Sequence, residues 1–427
     1  MLRVGAGAAV IPTRVGEPLA GYALRQSPCT ASHDPLRARV VRFDDGTTRA
    51  ALVALDLLYV PTVLDSAVRA AVAEAADVDA TAVTVCATHT HCGPANLATD
   101  PGLRDRVAAA AGSAAGVARE RAETAVLATS VRRIPGISAH RRSPAGTPDA
   151  SAAFLVARSA DGARTIATIV NFACHATVLD HTVTESSADF PGAACRQIER
   201  QVGGTALFLQ GAAGDVNPVC AAPTHDECER VGGILAAAAV STVLQAAGLQ
   251  QGLQTVSPSL QAGFAADHLS DCRLVRDPEL RIGWAECAVQ PAPPLPPAEE
   301  IARARAALAG PPGPEDARLW IQQLRAAEPN LFGVFDPGPP DRLRVQVVRF
   351  ADDLALLALP GEPFTATAVA LRAAAAGALL VAGYAHQSVG YLPPAPEWAG
   401  GGYEVGCCQY TDAVEGRLRA TAAHLLQ

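Results

Sequence analysis

The sequence predicts an α/β protein in which a mixed β-sheet core is flanked by helices. Short apolar runs rich in β-branched residues alternate along the chain with longer segments of helical spacing. Hydrophobic residues make up 49% of the 427 residues and charged residues 18%, which is enough apolar surface for a large core. Polar side chains also recur where the predicted strands stop, and open α/β sheets bind ligands at such ends.

The first half of the chain supplies three strands, a helix and a further strand. Apolar runs predict the three strands, Val4–Pro12, Leu36–Phe43 and Ala50–Leu58. Helical spacing over Pro61–Ala76 leads to an apolar strand that begins at Ala82. The segment Pro101–Ala128 then predicts a long helix followed by a short strand, and the Ala-rich face of that helix is expected to pack on the sheet.

The second half repeats the alternation of strands and helices. Its predicted strands are Thr165–Phe172, Ala206–Gln210, Leu343–Phe350, Leu354–Leu359 and Leu379–Gly383. Its predicted helices are a segment that opens near Asp189 and runs to about Gln201, then Thr365–Ala376 and Thr411–Leu426.

One domain is expected over residues 1–427, with a Pro-rich helical insertion at about 250–341. Five prolines fall within Pro291–Pro297, and helical spacing follows over Ala298–Ala309 and Pro314–Ala327. Neither end carries a linker-like run, so this segment is interpreted as an insertion or lid rather than an independent domain. A helix pair that buttresses the domain is the alternative.

Charge and cysteine usage narrow the choice of partner and compartment. The net charge is -8, and all 34 basic residues are Arg, so no basic cluster favours nucleic acid or an anionic membrane. No apolar run of about 20 residues is evident, so stable membrane association is not expected. The N-terminus does not resemble a signal peptide, and the eleven Cys form no CxxC pair. A cytoplasmic protein with reduced thiols is therefore expected.

The stretch Ala82–Pro94 carries the first candidate site. An apolar strand runs into Thr88-His89-Thr90-His91, and Gly93-Pro94 ends the regular structure. If strand alternation continues, His89 and His91 point to the same side, as two ligands of a metal would. The alternative is a pair of hydrogen-bonded histidines at a loop mouth.

Two more polar residues follow strands elsewhere in the chain. His175 comes directly after the strand Thr165–Phe172, and Glu362 follows Leu354–Leu359 at a turn into a helix. Two His and one carboxylate are the usual protein ligands of a catalytic zinc. For Glu362, a carboxylate favoured by the helix N-terminus is the competing explanation. The Gly-rich loop Gly211–Pro218 lacks the Lys-Ser/Thr of a phosphate-binding loop.

Six short motifs, in this order and over nearly the whole chain, resemble the catalytic domain of the neutral/alkaline (non-lysosomal) ceramidase family. The motifs are Thr88-His89-Thr90-His91-Cys92-Gly93-Pro94, Arg142-Ser143-Pro144, Asn171-Phe172-Ala173-Cys174-His175, Gly214-Asp215-Val216-Asn217-Pro218, Pro360-Gly361-Glu362 and Gly390-Tyr391.

The resemblance implies an enzyme that hydrolyses an amide C–N bond with a zinc-activated water. It implies four Zn²⁺ ligands, His89, His175, Glu362 and Tyr391. It also implies that His91 and Arg142 handle the scissile amide and that Tyr403 assists the carbonyl oxygen.

Two departures from the family pattern bear on the substrate and mechanism. The family typically has a serine, proposed in catalysis, at the position of Gly211. If that hydroxyl were essential, this chain would be inert and Gly211→Ser would be expected to restore turnover. The family's C-terminal β-sandwich domain and secretion signal are also not expected here. A small soluble amide, such as a secondary metabolite, is therefore the favoured substrate. N-acylsphingosine hydrolysis and an inactive metal- and ligand-binding protein are the alternatives.

Overall fold

A computed structural model describes residues 1–22, 24–25, 27–143, 145–252, 271–292 and 338–427 of the chain. The predicted fold class is confirmed, because a large mixed sheet with helices packed against it forms the core. Among the described residues, the backbone divides into nineteen strands and eight α-helices, numbered here in chain order.

The larger sheet has nine strands. Their order is β11-β9-β8-β6-β1-β3-β4-β5, and β13 pairs with β6 beside this path. The pairs β4–β5 and β9–β11 are parallel and the other pairs along the path are antiparallel. The nine strands are β1 Arg3–Val10, β3 Arg37–Asp44, β4 Arg49–Leu55, β5 Val83–Ala87, β6 Glu123–Arg133, β8 Ser151–Ser159, β9 Thr165–Phe172, β11 Thr205–Gln210 and β13 Cys272–Leu274.

The smaller sheet has four strands in the order β14-β15-β16-β18, and three two-stranded ribbons lie near the site. The four strands are β14 Arg281–Ala288, β15 Arg342–Ala351, β16 Leu354–Ala358 and β18 Ala378–Ala382. The ribbons pair β2 Ala31–Ser32 with β10 Glu185–Ser186, β7 Ser138–His140 with β12 Val216–Pro218, and β17 Glu362–Pro363 with β19 Tyr391–Leu392.

Helices cover the sheets, and each of the longer ones buries apolar residues against its neighbours. The helices are α1 Thr62–Ala76, α2 Pro101–Glu120, α3 Asp189–Val202, α4 His225–Gln250, α5 Thr365–Ala374, α6 Ala395–Trp398, α7 Tyr403–Cys407 and α8 Val414–Leu426. The buried faces of α1 and α2 share one hydrophobic cluster with β3, β4 and β5. A second cluster joins α3 and α4 to β9 and β11.

Three long elements were not predicted from the sequence: β8, α4 and β14. The helix α4 is Ala- and Gly-rich, so its apolar residues give little helical periodicity. It packs so closely on α3 that a Cβ at Gly232 would lie 2.7 Å from the Phe190 carbonyl oxygen. Within the described residues, α4 alone is long and apolar enough to span a membrane, and half of its most apolar window is buried in the fold. The expectation that no such segment exists was therefore wrong.

The predicted insertion at about 250–341 contains two strands that belong to the sheets. β13 pairs with β6 of the larger sheet, and β14 forms the edge of the smaller sheet beside β15. The helices predicted over Ala298–Ala309 and Pro314–Ala327 lie outside the described residues. The interpretation of these helices as a lid remains a prediction.

The segment Gly383–His386 joins the ends of the two sheets beneath the site. Gly383 N–H donates to the Gln210 carbonyl at the end of β11, at 2.9 Å. The Tyr384 carbonyl accepts from Ala87 N–H at the end of β5, at 3.1 Å, and His386 N–H donates to the Val85 carbonyl. These bonds bring the ends of β5, β11 and β18 together, which is where the candidate site forms.

Candidate metal centre

His89 lies one residue beyond Thr88, which follows the end of β5. Its φ of 67° takes the chain out of the strand, so the predicted alternation does not continue through Thr90 and His91. Main-chain bonds from Thr88 N–H to the Leu55 carbonyl and from His89 N–H to the Leu57 carbonyl hold this turn. The His89 ring Nδ1 lies 2.9 Å from the Leu58 carbonyl oxygen, so Nε2 faces the site.

His175 is placed in the same way beyond β9. Its Nδ1 lies 2.7 Å from the Ala213 carbonyl oxygen and 3.2 Å from that of Val216. Both carbonyls come from the Gly-rich loop that follows β11, so this loop orients a histidine. The contact leaves Nε2 of His175 to face His89, and the ring centroids are 4.6 Å apart.

Glu362 reaches these histidines from the smaller sheet. It lies in β17, where Glu362 N–H donates to the Gly390 carbonyl at 2.9 Å, directly beside Tyr391 in β19. Its Oε2 is 3.2 Å from His175 Nε2 and 3.6 Å from His89 Nε2. The carboxylate is completely buried, so it is not simply a solvated group at a helix N-terminus.

His91 completes a group that we call the histidine centre, defined as His89, His91, His175 and Glu362. Its Nε2 lies 3.2 Å from His89 Nε2, and one ring nitrogen from each of the three histidines lies within 4.8 Å of the others. The Tyr22 ring packs against His91 with centroids 4.8 Å apart. His91 Nδ1 is buried, and no described group hydrogen-bonds to it. The two histidines of the pair therefore converge, although not by strand alternation.

The chemistry of these groups fits a bound cation. Burial lowers the pKa of His89 to about 3 and holds the pKa values of His91 and His175 well below their ordinary value, so all three rings are neutral near pH 7. Assigning the tautomers from hydrogen bonds puts the protons of His89 and His175 on Nδ1, since each Nδ1 faces a carbonyl oxygen. Two imidazole lone pairs and a carboxylate oxygen then face one another, an arrangement that a divalent cation such as zinc stabilises.

Arg142, predicted to handle the amide, makes its hydrogen bonds away from the histidines. Nε donates to Glu397 at 2.8 Å, Nη1 to Glu404, and Nη2 to the Gly401 carbonyl at 2.9 Å. The last bond braces the turn that precedes Tyr403. Arg142 therefore lies where it supports the loop carrying Tyr403.

Its neighbour Arg141 makes the contact with the histidine centre. Nη1 of Arg141 lies 3.3 Å from His175 Nε2, and Nε donates to Glu404 at 2.8 Å. Glu404 is shared by both guanidiniums; burial opposes its charge, but the two arginines hold the pKa of its carboxyl below the usual range. We call Arg141, Arg142, Glu397 and Glu404 the arginine rim.

The two predicted tyrosines lie between the centre and the rim. The Tyr391 ring stacks near His175 with a centroid distance of 6.4 Å, and the guanidinium of Arg141 lies 5.1 Å from the Tyr391 ring centroid. The Tyr403 ring lies 5.6 Å from that of Tyr391, yet the residue is 43% exposed. Tyr403 is therefore open to solvent beside the site, where a substrate carbonyl can approach.

The sequence reasoning missed two tyrosines that contact Glu362, Tyr59 and Tyr384, and every member of the arginine rim except Arg142. Tyr59 and Tyr384 both donate hydrogen bonds to Glu362. Tyr59 belongs to the apolar run Leu57–Val60 and gave only the signal of a core residue. Glu404 directly follows Tyr403, a predicted site residue, in the sequence. This adjacency was the signal that could have identified Glu404.

Gly211, at the position of the family serine, leaves no room for a side chain. A Cβ there would lie 2.8 Å from the Ala173 backbone nitrogen and 2.9 Å from its Cα. Gly211 N–H also donates to the Phe172 carbonyl at 2.9 Å, which ties the backbone in place. A serine at this position would therefore have to shift the main chain that leads to His175.

Comparison with known proteins shows that the fold is that of the neutral ceramidases. For the fold, this result confirms the resemblance found in the motifs. No family model matches the chain, and no curated protein matches it. Among solved structures, the chain is similar to neutral ceramidase from Pseudomonas aeruginosa, with a TM-score of 0.74 and 20% identity over 100% of this chain and 74% of that one. It is also similar to a structure described as ceramidase complexed with C2, with a TM-score of 0.73 and 19% identity over the same shares.

Proposed function

We propose that this chain is a zinc-dependent amidohydrolase of ceramidase type that hydrolyses an amide bond in a small soluble molecule. The observation that carries the proposal is that two histidines and a carboxylate meet at the sheet ends. Glu362 Oε2 lies 3.6 Å from His89 Nε2 and 3.2 Å from His175 Nε2. Two His and one carboxylate are a common protein ligand set of hydrolytic zinc sites. Tyr391, the backbone neighbour of Glu362, is the proposed fourth ligand.

Zinc bound here supplies a Lewis acid that polarises a carbonyl and lowers the pKa of a water toward neutrality. His91 is neutral, and its Nε2 faces the histidine centre 3.2 Å from His89 Nε2, so it can accept a proton there and return it to the leaving amine. The Tyr403 hydroxyl is proposed to donate to the carbonyl oxygen as negative charge develops. The ordinary pKa of a tyrosine is about 10, so this hydroxyl keeps its proton at neutral pH.

The substrate carbonyl is proposed to enter between His91 and Tyr403. Arg142 fixes Tyr403 through Gly401, and Arg141 places a positive charge beside His175. Because Gly211 offers no hydroxyl, a water is the proposed nucleophile, and no covalent acyl-enzyme is expected. The eleven Cys all lie in the described residues and form no disulfide there, and a reducing compartment such as the cytoplasm is proposed on that ground.

Hydrolysis of ceramide is the second candidate, and the likeness to two ceramidase structures favours it. The net charge of -8 and the absence of Lys give no electrostatic attraction to an anionic bilayer, which favours the soluble amide. The two candidates share a site and a reaction and differ in the substrate alone.

The test is a comparison of kcat/KM on the zinc-loaded chain, with His91→Ala as the matched inactive control. Short N-acyl amines in buffer are expected to be hydrolysed with a higher kcat/KM than long-chain ceramide in detergent. A clear preference for ceramide restores the lipid substrate. Zinc binding without hydrolysis of any amide would instead show a metal- and ligand-binding protein without this activity.

A further inference from the structure

Two buried phenols converge on Glu362 from different parts of the fold. Tyr59 follows β4 and donates a short hydrogen bond to Glu362 Oε1. Tyr384 follows β18 and its hydroxyl lies 3.3 Å from Glu362 Oε2. Both side chains are almost fully buried, so water does not compete for either bond.

The same two rings also pack against His89. The Tyr384 ring centroid is 4.2 Å from that of His89, and the Tyr59 centroid is 5.1 Å from it. Each tyrosine therefore contacts one proposed ligand through its ring and another through its hydroxyl. Movement of Glu362 relative to His89 requires both phenols to move.

The backbone at Tyr384 shows that its position is tightly determined. Its φ of 55° is in the left-handed region, which a bulky residue rarely adopts. Tyr384 N–H donates to the Gly361 carbonyl at 2.8 Å, directly before Glu362 in the chain. A strained residue held by such bonds beside a ligand is typical of a functional constraint.

The two oxygens of Glu362 consequently have different surroundings. Oε1 accepts a hydrogen bond from the Tyr59 hydroxyl, whereas Oε2 faces the Nε2 atoms of His89 and His175 and accepts the weaker Tyr384 hydrogen bond at 3.3 Å. We propose that Tyr59 and Tyr384 are positioning residues that present Glu362 to the metal through Oε2 alone. This inference rests on the proposed metal centre and deepens it. One-oxygen ligation leaves a coordination position open, which a hydrolytic zinc site requires.

The experiment compares Tyr59→Phe and Tyr384→Phe with Tyr410→Phe as the matched control. Tyr410 is equally buried, and its hydroxyl donates to the Pro340 carbonyl, in a hydrophobic cluster that contains none of the four proposed ligands. Each variant removes one oxygen atom and keeps the ring. Zinc affinity is measured by competition with a chromophoric chelator, and the Co²⁺-loaded forms are compared by their visible absorption spectra.

Tyr59→Phe is expected to weaken zinc binding about 10- to 100-fold, the usual effect of removing a partner of a metal ligand. Tyr384→Phe is expected to weaken it as well, because the substitution removes the 3.3 Å hydrogen bond to Oε2. The visible Co²⁺ bands are expected to change in Tyr59→Phe, since Oε1 is then free to bind the metal. A lower melting temperature alone, which any of the three variants can show, does not support the proposal.

Wild-type zinc affinity and wild-type Co²⁺ spectra in both Tyr59→Phe and Tyr384→Phe would overturn the inference and leave the proposed function intact. An equal loss of affinity in Tyr410→Phe would also overturn it, because the effect would then be general destabilisation. A wild-type chain that binds no zinc would overturn the metal centre itself, and the inference with it.

Discussion

The histidine centre and the arginine rim adjoin each other but are built in different ways. In the centre, His89 and His175 each hydrogen-bond a main-chain carbonyl, and Glu362 is fixed by ribbon pairing at the end of a sheet. In the rim, Arg142 and Glu404 are held chiefly by ion pairs between side chains on loops and short helices. The centre is therefore rigid through its backbone, whereas the rim depends on its own side chains.

This difference separates metal binding, by the centre, from substrate contact, by the rim. Groups anchored to strand ends keep a fixed geometry, which a metal needs. Groups held by side-chain ion pairs on loops can vary with the substrate without disturbing that geometry. Metal binding should therefore be insensitive to changes at Arg142, whose described hydrogen bonds go to Glu397, Glu404 and Gly401, in contrast to Arg141, which contacts His175.

The largest effects are expected within the centre itself. His175→Ala should abolish zinc binding and turnover, because it removes a proposed ligand. His91→Ala should retain zinc and lower kcat by about 10²–10⁴-fold, the usual contribution of a general acid–base group. Zinc content by elemental analysis and kcat separate the two roles. Equal zinc loss in both variants would instead make His91 a ligand.

Arg142→Met should lower kcat/KM by about 10- to 100-fold while zinc content stays at the wild-type level. The substitution removes the bonds to Glu397, Glu404 and Gly401 that hold the loop before Tyr403. A misplaced Tyr403 stabilises the carbonyl oxygen of the substrate less well. Loss of zinc in this variant would show that rim and centre are not separable.

Gly211→Ser should destabilise the fold by about 1–3 kcal/mol, as overpacked core substitutions do, and should not raise turnover. The new Cβ meets the Ala173 backbone. Gly116→Ser is the control, because nothing lies within 4 Å of a Cβ there. Urea unfolding measures the difference. A stable and more active Gly211→Ser variant would restore the serine as a missing catalytic group.

The smallest effect is the pH dependence of stability in the presence of a chelator. Burial lowers the folded-state pKa of His91 below the unfolded value of about 6.5, so the unfolded chain binds the extra proton. Stability is therefore fullest above about pH 6.5 and falls as pH drops below it, by about 1.4 kcal/mol per pH unit for this histidine. His91→Gln should reduce the slope of unfolding free energy against pH by that amount. An unchanged slope would mean that His91 is not buried as a neutral ring.

The sequence predicted the centre better than the rim for a physical reason. His89, His175 and Glu362 follow apolar strands, and strand ends can be found from hydrophobic pattern alone. Arg141 and Arg142 are adjacent on a loop, and only tertiary packing directs one to His175 and the other to Glu404. Tyr59 and Tyr384 were hidden for a similar reason, since a buried phenol in an apolar run looks like core until its hydroxyl's partner is known.

The fold, like the candidate site, was predictable from the sequence only in part. β9 was predicted with its observed bounds, because β-branched residues dominate Thr165–Phe172 and none occurs in the Ala-Cys-His that follows. α4 was missed because Ala and Gly fill its turns and give no contrast between its faces. Ribbons as short as β17 and β19 have no sequence signal of their own, although they place Glu362 beside Tyr391.

The central claim is that Glu362, and not His91, binds the metal together with His89 and His175. Anomalous diffraction at the zinc absorption edge, from crystals of the zinc-loaded chain, tests it most directly. The expected result is one zinc peak within about 2.0–2.2 Å of His89 Nε2, His175 Nε2 and Glu362 Oε2, with His91 outside bonding distance. A peak bound by His89, His91 and His175 with Glu362 outside its coordination sphere, or no peak in this region, would contradict the account.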